Sequence, residues 1–276
     1  MPAAIKATAI QMASGPNVDA NLLEVQRHVA QAAKEGSRLV VLPENFAYMG
    51  HRCTDLWSVK ESAGYGKLQA FLRDLARKHD IWVVGGTIPV EIEDSDKVRS
   101  ACFVIDNSGE VRGRYDKLHL FDVSLVDVDE DYRESSAIES GDQPLVVETP
   151  FGNLGIAICY DLRFPELFRS MLPSKPDIIA LPSAFTAATG RAHWEPLVRA
   201  RAIENLCYVI AAAQGGYHIS GRETWGHSMI VDPWGTVLGE LPNGAGHVSA
   251  ELDIDLLKTT RRNFPSLDHR RIHCQL

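Results

Sequence analysis

A thiol, a carboxylate and an ammonium, at three separate points of the chain, are the side chains whose chemistry is weighed first. Cys159 follows the apolar run Leu154-Gly155-Ile156-Ala157-Ile158 and precedes Tyr160-Asp161-Leu162-Arg163-Phe164-Pro165-Glu166-Leu167. The run reads as a strand. Pro165 suits the first position of a helix, where its missing N–H costs nothing, and Glu166 suits the first turn. A thiol between a strand end and a helix start can have its thiolate stabilised by backbone donors and the helix dipole, which makes it a candidate nucleophile. The segment fits a small, inert core cysteine about as well. Glu44, in Leu42-Pro43-Glu44-Asn45-Phe46, stands just past a buried strand, either as a solvated loop carboxylate or as a base with a raised pKa. Lys117, in Tyr115-Asp116-Lys117-Leu118-His119, follows a strand, where a lysine is ordinarily solvated. Taken singly, none of the three decides between chemistry and structure.

The elements that must hold these residues are legible as a pattern. Ile5 to Met12 reads as a strand, and Leu22, Val25, Val29 and Ala33 recur at helical spacing up to Lys34, with Gly36 placed to end the helix. Leu39-Val40-Val41-Leu42 is a continuous apolar run, which predicts a strand buried on both faces and stopped at Pro43. A second helix (Leu68, Phe71, Leu72, Leu75) leads to the strand Ile81 to Val84, and the strands Ala101 to Ile105 and Val111 to Tyr115 flank the turn Asp106-Asn107-Ser108-Gly109. The second half repeats this plan. Leu39 to Phe46 is echoed by Ile178 to Phe185, Ile81 to Val84 by Cys207 to Ile210, Ile105 to Gly109 by Val231 to Gly235, and Ala7 to Met12 by Gly155 to Tyr160. Two pseudo-symmetric α/β halves follow, with two sheets packed face to face and helices outside each. No linker separates them, so residues 1–276 are expected to form one domain. In this alignment Gln11 corresponds to Cys159, and Glu44 to Ser183. Ligands in α/β sheets gather at the carboxyl ends of strands, which points to a shared crevice at Glu44, Cys159 and the Ser183–Phe185 turn.

Composition narrows the partners. Hydrophobic residues make up 45% of the 276 residues and charged residues 23%, as in a soluble globular protein. The formal net charge of −8 argues against nucleic acid or anionic membrane as partners. The N-terminus lacks a signal-like apolar stretch, and no apolar run approaches the roughly 20 residues of a membrane span. The cysteines, Cys53, Cys102, Cys159, Cys207 and Cys274, are scattered and odd in number, so a reduced, cytoplasmic setting is expected. No H-x-H or H-E-x-x-H spacing offers a metal site.

Considered together, the Leu42-Pro43-Glu44, Lys117-Leu118-His119-Leu120-Phe121-Asp122 and Ile158-Cys159-Tyr160-Asp161-Leu162-Arg163-Phe164-Pro165-Glu166 words, in that order, resemble the nitrilase superfamily of carbon–nitrogen hydrolases. The resemblance runs from Ile5 to about Arg271. It implies a four-layer α-β-β-α sandwich, a Glu44-Lys117-Cys159 triad, no cofactor, and a homodimer or larger assembly. It also implies a second glutamate after the lysine. Arg133-Glu134-Ser135 ahead of Gly141-Asp142 matches, making Glu134 the candidate, although neighbouring acids (Asp127, Asp129, Glu130, Asp131) equally fit a solvated acidic loop. The implied substrate is a small carboxamide, attacked by Cys159 with Glu44 moving the proton and Lys117 and the Tyr160 N–H holding the oxyanion.

The later words Pro182 to Thr186, Thr189 to Glu195, Arg199 to Asn205 and Gly226 to Gly235 resemble the superfamily's deaminated glutathione amidases, which release 2-oxoglutarate and Cys-Gly. The omega-amidase branch, acting on 2-oxoglutaramate, is the neighbouring alternative; a nitrilase or a carbamoylase would use the same triad. A binding protein descended from such enzymes is the rival of another class, but it is expected to have lost a triad residue. For the remote carboxylate of a keto-acid amide, Arg163 is the expected reader, with Thr186 and Thr189 as hydroxyl donors and Phe185 against the methylenes. Arg163 paired with Asp161 or Glu166 on the surface is the plainer alternative. The irregular segment from Arg261 to Leu276 is expected to pack across a subunit boundary.

Overall fold

Strands and helices form where the apolar periodicity places them, and their alternation decides which layer each side chain enters. The computed structural model describes residues 4–125 and 130–272. One sheet takes β1 (Ala4–Gln11), β2 (Leu39–Val41), β3 (Trp82–Val84), β4 (Ile88–Glu91), β5 (Val98–Ile105) and β6 (Val111–Asp116). A two-stranded ribbon follows, β7 (Asp122–Leu125) with β8 (Glu130–Arg133). The other sheet begins with β9 (Leu145–Thr149), β10 (Gly152–Ile156), β11 (Ile178–Ser183) and β12 (Tyr208–Ala213). A second ribbon, β13 (Gly215–Tyr217) with β14 (Glu223–Trp225), precedes β15 (Ser228–Val231) and β16 (Val237–Leu241) of that sheet. Finally β17 (Gly246–Asp253) returns to the first sheet, antiparallel to β1.

The expected pseudo-symmetry is present in the pairing. Strands β1, β2 and β3 run parallel and are continued antiparallel by β5 and β6. Strands β10, β11 and β12 run parallel and are continued antiparallel by β15 and β16. Each set also has an antiparallel strand on its other side, β17 beside β1 and β9 beside β10.

Period-two alternation sorts β2 between layers. Leu39 and Val41 share a buried cluster with Ile156, Ala180, Ile210 and Met229 of the facing sheet. Val40, between them, packs instead with Val25 and Val29 of α1 (Val18–Lys34) and with Leu72 and Leu75 of α2 (Lys67–His79). On the far side, α3 (Pro165–Ser170) and α4 (Ala187–Asn205) bury Phe168, Trp194, Val198 and Ala202 against the second sheet. The result is an α-β-β-α sandwich, the arrangement in which two sheets and their helices each bury an apolar face. No helix among the described residues is long and apolar enough to cross a membrane.

Two expectations change. The acidic stretch after Lys117 is not a plain loop, because its described part forms the β7–β8 ribbon; Asp127 and Asp129 lie outside the described residues. The C-terminal segment does not start irregularly either. Arg261 lies in the last turn of α5 (Ile254–Asn263) and is tied to its own chain, donating to Asp177 at 2.7 Å and to the Pro176 and Leu206 carbonyls at 2.6 and 2.8 Å. Cys274 lies outside the described residues.

Candidate active site

Glu44 leaves the end of β2 on a turn that several elements hold. Asn45 has φ +56°, a left-handed conformation that asparagine tolerates better than most residues. Its N–H donates to Thr87 Oγ1 at 2.8 Å. Gly86, at φ +55°, lies so close to the Pro43 carbonyl that a Cβ would sit 2.2 Å from the oxygen. Gln214, just past β12, donates to the Glu44 carbonyl at 2.9 Å and to Ser14 Oγ at 2.8 Å. Ser14 in turn donates to the Phe46 carbonyl at 2.9 Å. Both halves of the chain therefore fix the Glu44 backbone.

Lys117 follows β6 and points inward. Its side chain is 2% exposed, and its Nζ donates to Glu44 Oε1 at 2.7 Å and to Glu134 Oε1 and Oε2 at 2.8 and 2.9 Å. Glu134 opens the short turn Glu134–Ser136 behind β8 and also accepts the Phe121 N–H at 2.6 Å. Burial alone would push the Lys117 ammonium toward neutrality, but the charges of Glu134 and Glu44 outweigh it and hold the pKa well above the ordinary lysine value. Burial raises Glu134 above the ordinary carboxyl range, helped by the Glu44 charge and opposed by Lys117. One cation is thus shared by two buried carboxylates.

Cys159 completes the cluster. It starts the tight turn Cys159–Arg163 with φ +49°, a conformation that costs a side-chain-bearing residue about 1–2 kcal/mol. Such strain persists where surrounding contacts impose it, often at functional sites. The Cys159 thiol shares the wall of one cleft with Glu44 and Lys117, and both of these charges and the Ala184 backbone act on it. Asp161, wholly buried, holds this turn to the Lys117 strand end. One of its oxygens accepts the Ile158 N–H at 2.8 Å and the Tyr115 hydroxyl at 2.7 Å, and the other accepts the His119 N–H at 3.0 Å and meets His119 Nδ1 at 2.6 Å.

Burial raises the Cys159 thiol far above its ordinary value, and the adjacent Glu44 charge adds to this more than Lys117 relieves it. The helix starting at Pro165 lies beyond the tight turn, so its dipole does not offset the burial.

Beside Cys159 a narrow recess is lined by Tyr160, Arg163, Phe185, Thr186, Thr189 and Arg222. Arg163 pairs with neither Asp161 nor Glu166. It faces His193 Nδ1 at 3.2 Å and lies over the Phe185 and Tyr160 rings at 5.2 and 5.9 Å. Thr186 differs from expectation, because its hydroxyl caps α4: it accepts the Thr189 N–H at 3.3 Å and shares a hydrogen bond with the Thr189 hydroxyl. Trp194 is core, and Arg201–Glu204 and Arg199–Glu195 are helix-spaced pairs at 2.6 and 3.2 Å. A wider cleft of about 680 Å³ opens on the other side of Cys159, lined by Glu44, Lys117, Glu134, Tyr48, Arg52 and Tyr132 among others, and Arg222 borders both spaces. Local pattern does not mark Arg222, Ala184 or the Asp161 clamp. Only the echo of Leu39–Phe46 in Ile178–Phe185 hinted at the second.

Residues 6–262 match the model of the carbon–nitrogen hydrolase family, and the chain belongs to that family. A deaminated glutathione amidase from Yersinia enterocolitica is 40% identical over 263 residues, covering 95% of this chain and 91% of its own. One from Synechocystis sp. is 41% identical over 267 residues, covering 96% and 97%. Among solved structures, Saccharomyces cerevisiae Nit3, a member of branch 10 of the nitrilase superfamily, superposes with a TM-score of 0.88 at 30% identity, over 99% of this chain and 98% of that one. The chain is a hydrolase of carbon–nitrogen bonds in amides, and a member of the nitrilase superfamily.

Proposed function

We propose that the chain is a deaminated glutathione amidase, cleaving the amide between a 4-carboxy-4-oxobutanoyl group and the amine of Cys-Gly. The observation that carries the chemistry is that Cys159 shares one cleft with Glu44 and with the buried Lys117 ammonium, which donates to Glu44 at 2.7 Å. Cys159 sulfur attacks the amide carbon as its proton passes to Glu44. The oxyanion is held by Lys117 and the Tyr160 N–H, in a space largely closed to water. The C–N bond breaks as Glu44 returns the proton to the departing amine, leaving a thioester. Water then adds to the thioester with Glu44 as base, releasing the acid and restoring the thiol. Glu134 holds the ammonium in place throughout. Gln214 of one half holds Glu44 of the other, which supports reading the chain as one domain.

The acyl chain points from Cys159 toward the narrow recess, which at about 10 Å³ has to widen to admit it, with its carboxylate directed to Arg163 and Thr189 and its methylenes to Phe185. The wide cleft beyond Glu44 favours this reading over an omega-amidase, whose leaving group is only ammonia. Ammonia and amine release from keto-acid amides with large and small leaving groups tests it; absence of any keto-acid preference counts against it. In the same assay, Arg163→Lys should raise KM for keto-acid amides roughly ten- to a hundredfold, as expected when a bidentate charged hydrogen bond is lost, with much less effect on an uncharged aliphatic amide. An equal, small effect on both would remove Arg163 from carboxylate binding.

We also infer a homodimer or larger assembly in the cytoplasm. Ile203, Trp234 and Phe264 are exposed, with Trp234 edge-on to Phe264 at 5.7 Å, and such a patch is usually covered. The segment after α5 that carries Phe264 would then lie at the subunit boundary. Sedimentation at micromolar concentration should give a dimer or larger and, for Trp234→Glu, a shift toward monomer; a wild-type monomer overturns the inference. Cys53, Cys102, Cys159 and Cys207 are free thiols, in keeping with a reducing compartment, which cell fractionation checks.

A further inference from the structure

The geometry points to Arg222 as the residue that reads a carboxylate on the departing amine, a specificity contact separate from the one Arg163 makes with the acyl group. This rests on the reading that Cys159 takes the acyl carbon and Glu44 protonates the leaving nitrogen. Glu44 lines the wide cleft and is absent from the narrow recess, so the leaving amine must extend into the wide cleft. Arg222 borders both spaces, which sets its guanidinium where the two halves of the substrate meet.

Charge supports the assignment. The cluster below the cleft holds two carboxylates and one ammonium, and would repel an anionic leaving group unless a cation compensated. Two other arginines of the cleft are engaged, Arg52 with Asp55 at 3.6 Å and Arg133 with Asp131 at 3.3 Å. Arg222 forms no ion pair among the described residues. It donates to the Ala184 carbonyl, and its guanidinium lies 5.1 Å over the Tyr132 ring. Its Nε is enclosed without an acceptor among the described residues. With Nη2 given to Ala184 and Nε enclosed, the Nη1 side of this uncompensated guanidinium is the part left to meet a carboxylate.

The mount is rigid. His218, 6% exposed, meets the Ser14 carbonyl at 2.9 Å through Nδ1 and Thr224 Oγ1 at 2.8 Å through Nε2, and its N–H donates to the Arg222 carbonyl at 2.9 Å. The turn joining β13 to β14 is thereby pinned to the loop after β1.

The test compares one acyl group carrying three leaving groups: ammonia, the dipeptide Ala-Gly, and Ala-Gly with its terminal carboxylate converted to carboxamide. The wild type should favour the free carboxylate over the carboxamide about tenfold in kcat/KM, and Arg222→Gln should abolish that ratio while Arg222→Lys keeps part of it. Equal values for the two dipeptides in the wild type overturn the proposal without recourse to any variant. So does an Arg222→Gln loss that falls equally on all three substrates, which would make the residue a support for the Ala184 peptide. Running the set with a 4-carboxy-4-oxobutanoyl and with a butanoyl group separates the two readings. Failure of the keto-acid series alone refutes the acyl assignment, and the butanoyl series still reports on Arg222.

Discussion

Cys159→Ala should lower amide turnover by on the order of 10⁵-fold, as removal of a nucleophile that works in a concerted unit does elsewhere. The fold should survive. Only the sulfur is removed, alanine meets the same φ +49° cost as cysteine, and the turn keeps its four contacts through Asp161. Cys102 and Cys207 are buried, with thiols raised by burial, and neither lines the cleft or the recess. Cys53 is nearer, on the cleft wall, but its thiol is pushed up to about 12 and its sulfur faces the Glu134 carbonyl, an acceptor that cannot relay a proton. Mass spectrometry of quenched wild-type reactions should find an acyl adduct on the peptide containing Cys159 and on no other cysteine. Turnover in Cys159→Ala comparable to the wild type, or an adduct on Cys53, would refute the assignment.

Lys117→Met should be the most damaging substitution for catalysis and stability together. Losing an oxyanion donor lowers the rate about 10² to 10³-fold. Beyond that, Glu44 and Glu134 are left as two buried carboxylates without the cation 2.7 to 2.9 Å away. Breaking a buried pair in this way costs about 3–5 kcal/mol. Glu44→Gln differs, because the Lys117–Glu134 pair stays intact: it should lose about 10² to 10⁴ in rate with a smaller loss of stability. The pH dependence separates the two effects. Glu134 is already raised above its ordinary value of 4.5, by burial first, with Lys117 opposing. Without the lysine the shift must grow. A carboxyl with a raised folded pKa binds its proton more tightly folded than unfolded, so stability is greatest below the unfolded value and falls as pH rises toward the folded one. Urea titrations of Lys117→Met should therefore show a larger deficit near neutral pH than near pH 4.5. A deficit independent of pH would mean that the carboxylates do not depend on Lys117 for their charge.

How much of this was legible beforehand depended on range. Leu39-Val40-Val41 foretold a strand buried on both faces because alternation is local, and Pro165 foretold the first position of a helix for the same reason. Asp106-Asn107-Ser108-Gly109 foretold its turn, with Asp106 accepting from Ser108 and Glu110. The echo between halves foretold the matched strand order. The resemblance carried by the words around Glu44, Lys117 and Cys159 named residues that do meet in one cluster.

Thr186 lines the recess, and its capping role was not legible in the residue words: a hydroxyl at a helix start accepts from the backbone of its own helix, Thr189 here. The strand-to-helix position of Cys159 fits a stabilised thiolate and an inert thiol equally, because the balance rests on desolvation and the Glu44 charge, which are sums over the whole surrounding structure and raise the thiol.

The sequence by itself determined the alternation of strands and helices, the strand ends on which Glu44, Lys117 and Cys159 ride, and their membership of one family of hydrolases, since these follow from short-range pattern and multi-residue words. Only the tertiary structure decided that one buried ammonium serves two carboxylates, that Asp161 joins the Cys159 turn to Tyr115 and His119, and that Arg222 stands over the junction of two pockets. Those contacts join residues 17 to 73 positions apart, and the strength of each depends on burial that no segment possesses until the two sheets have closed on one another.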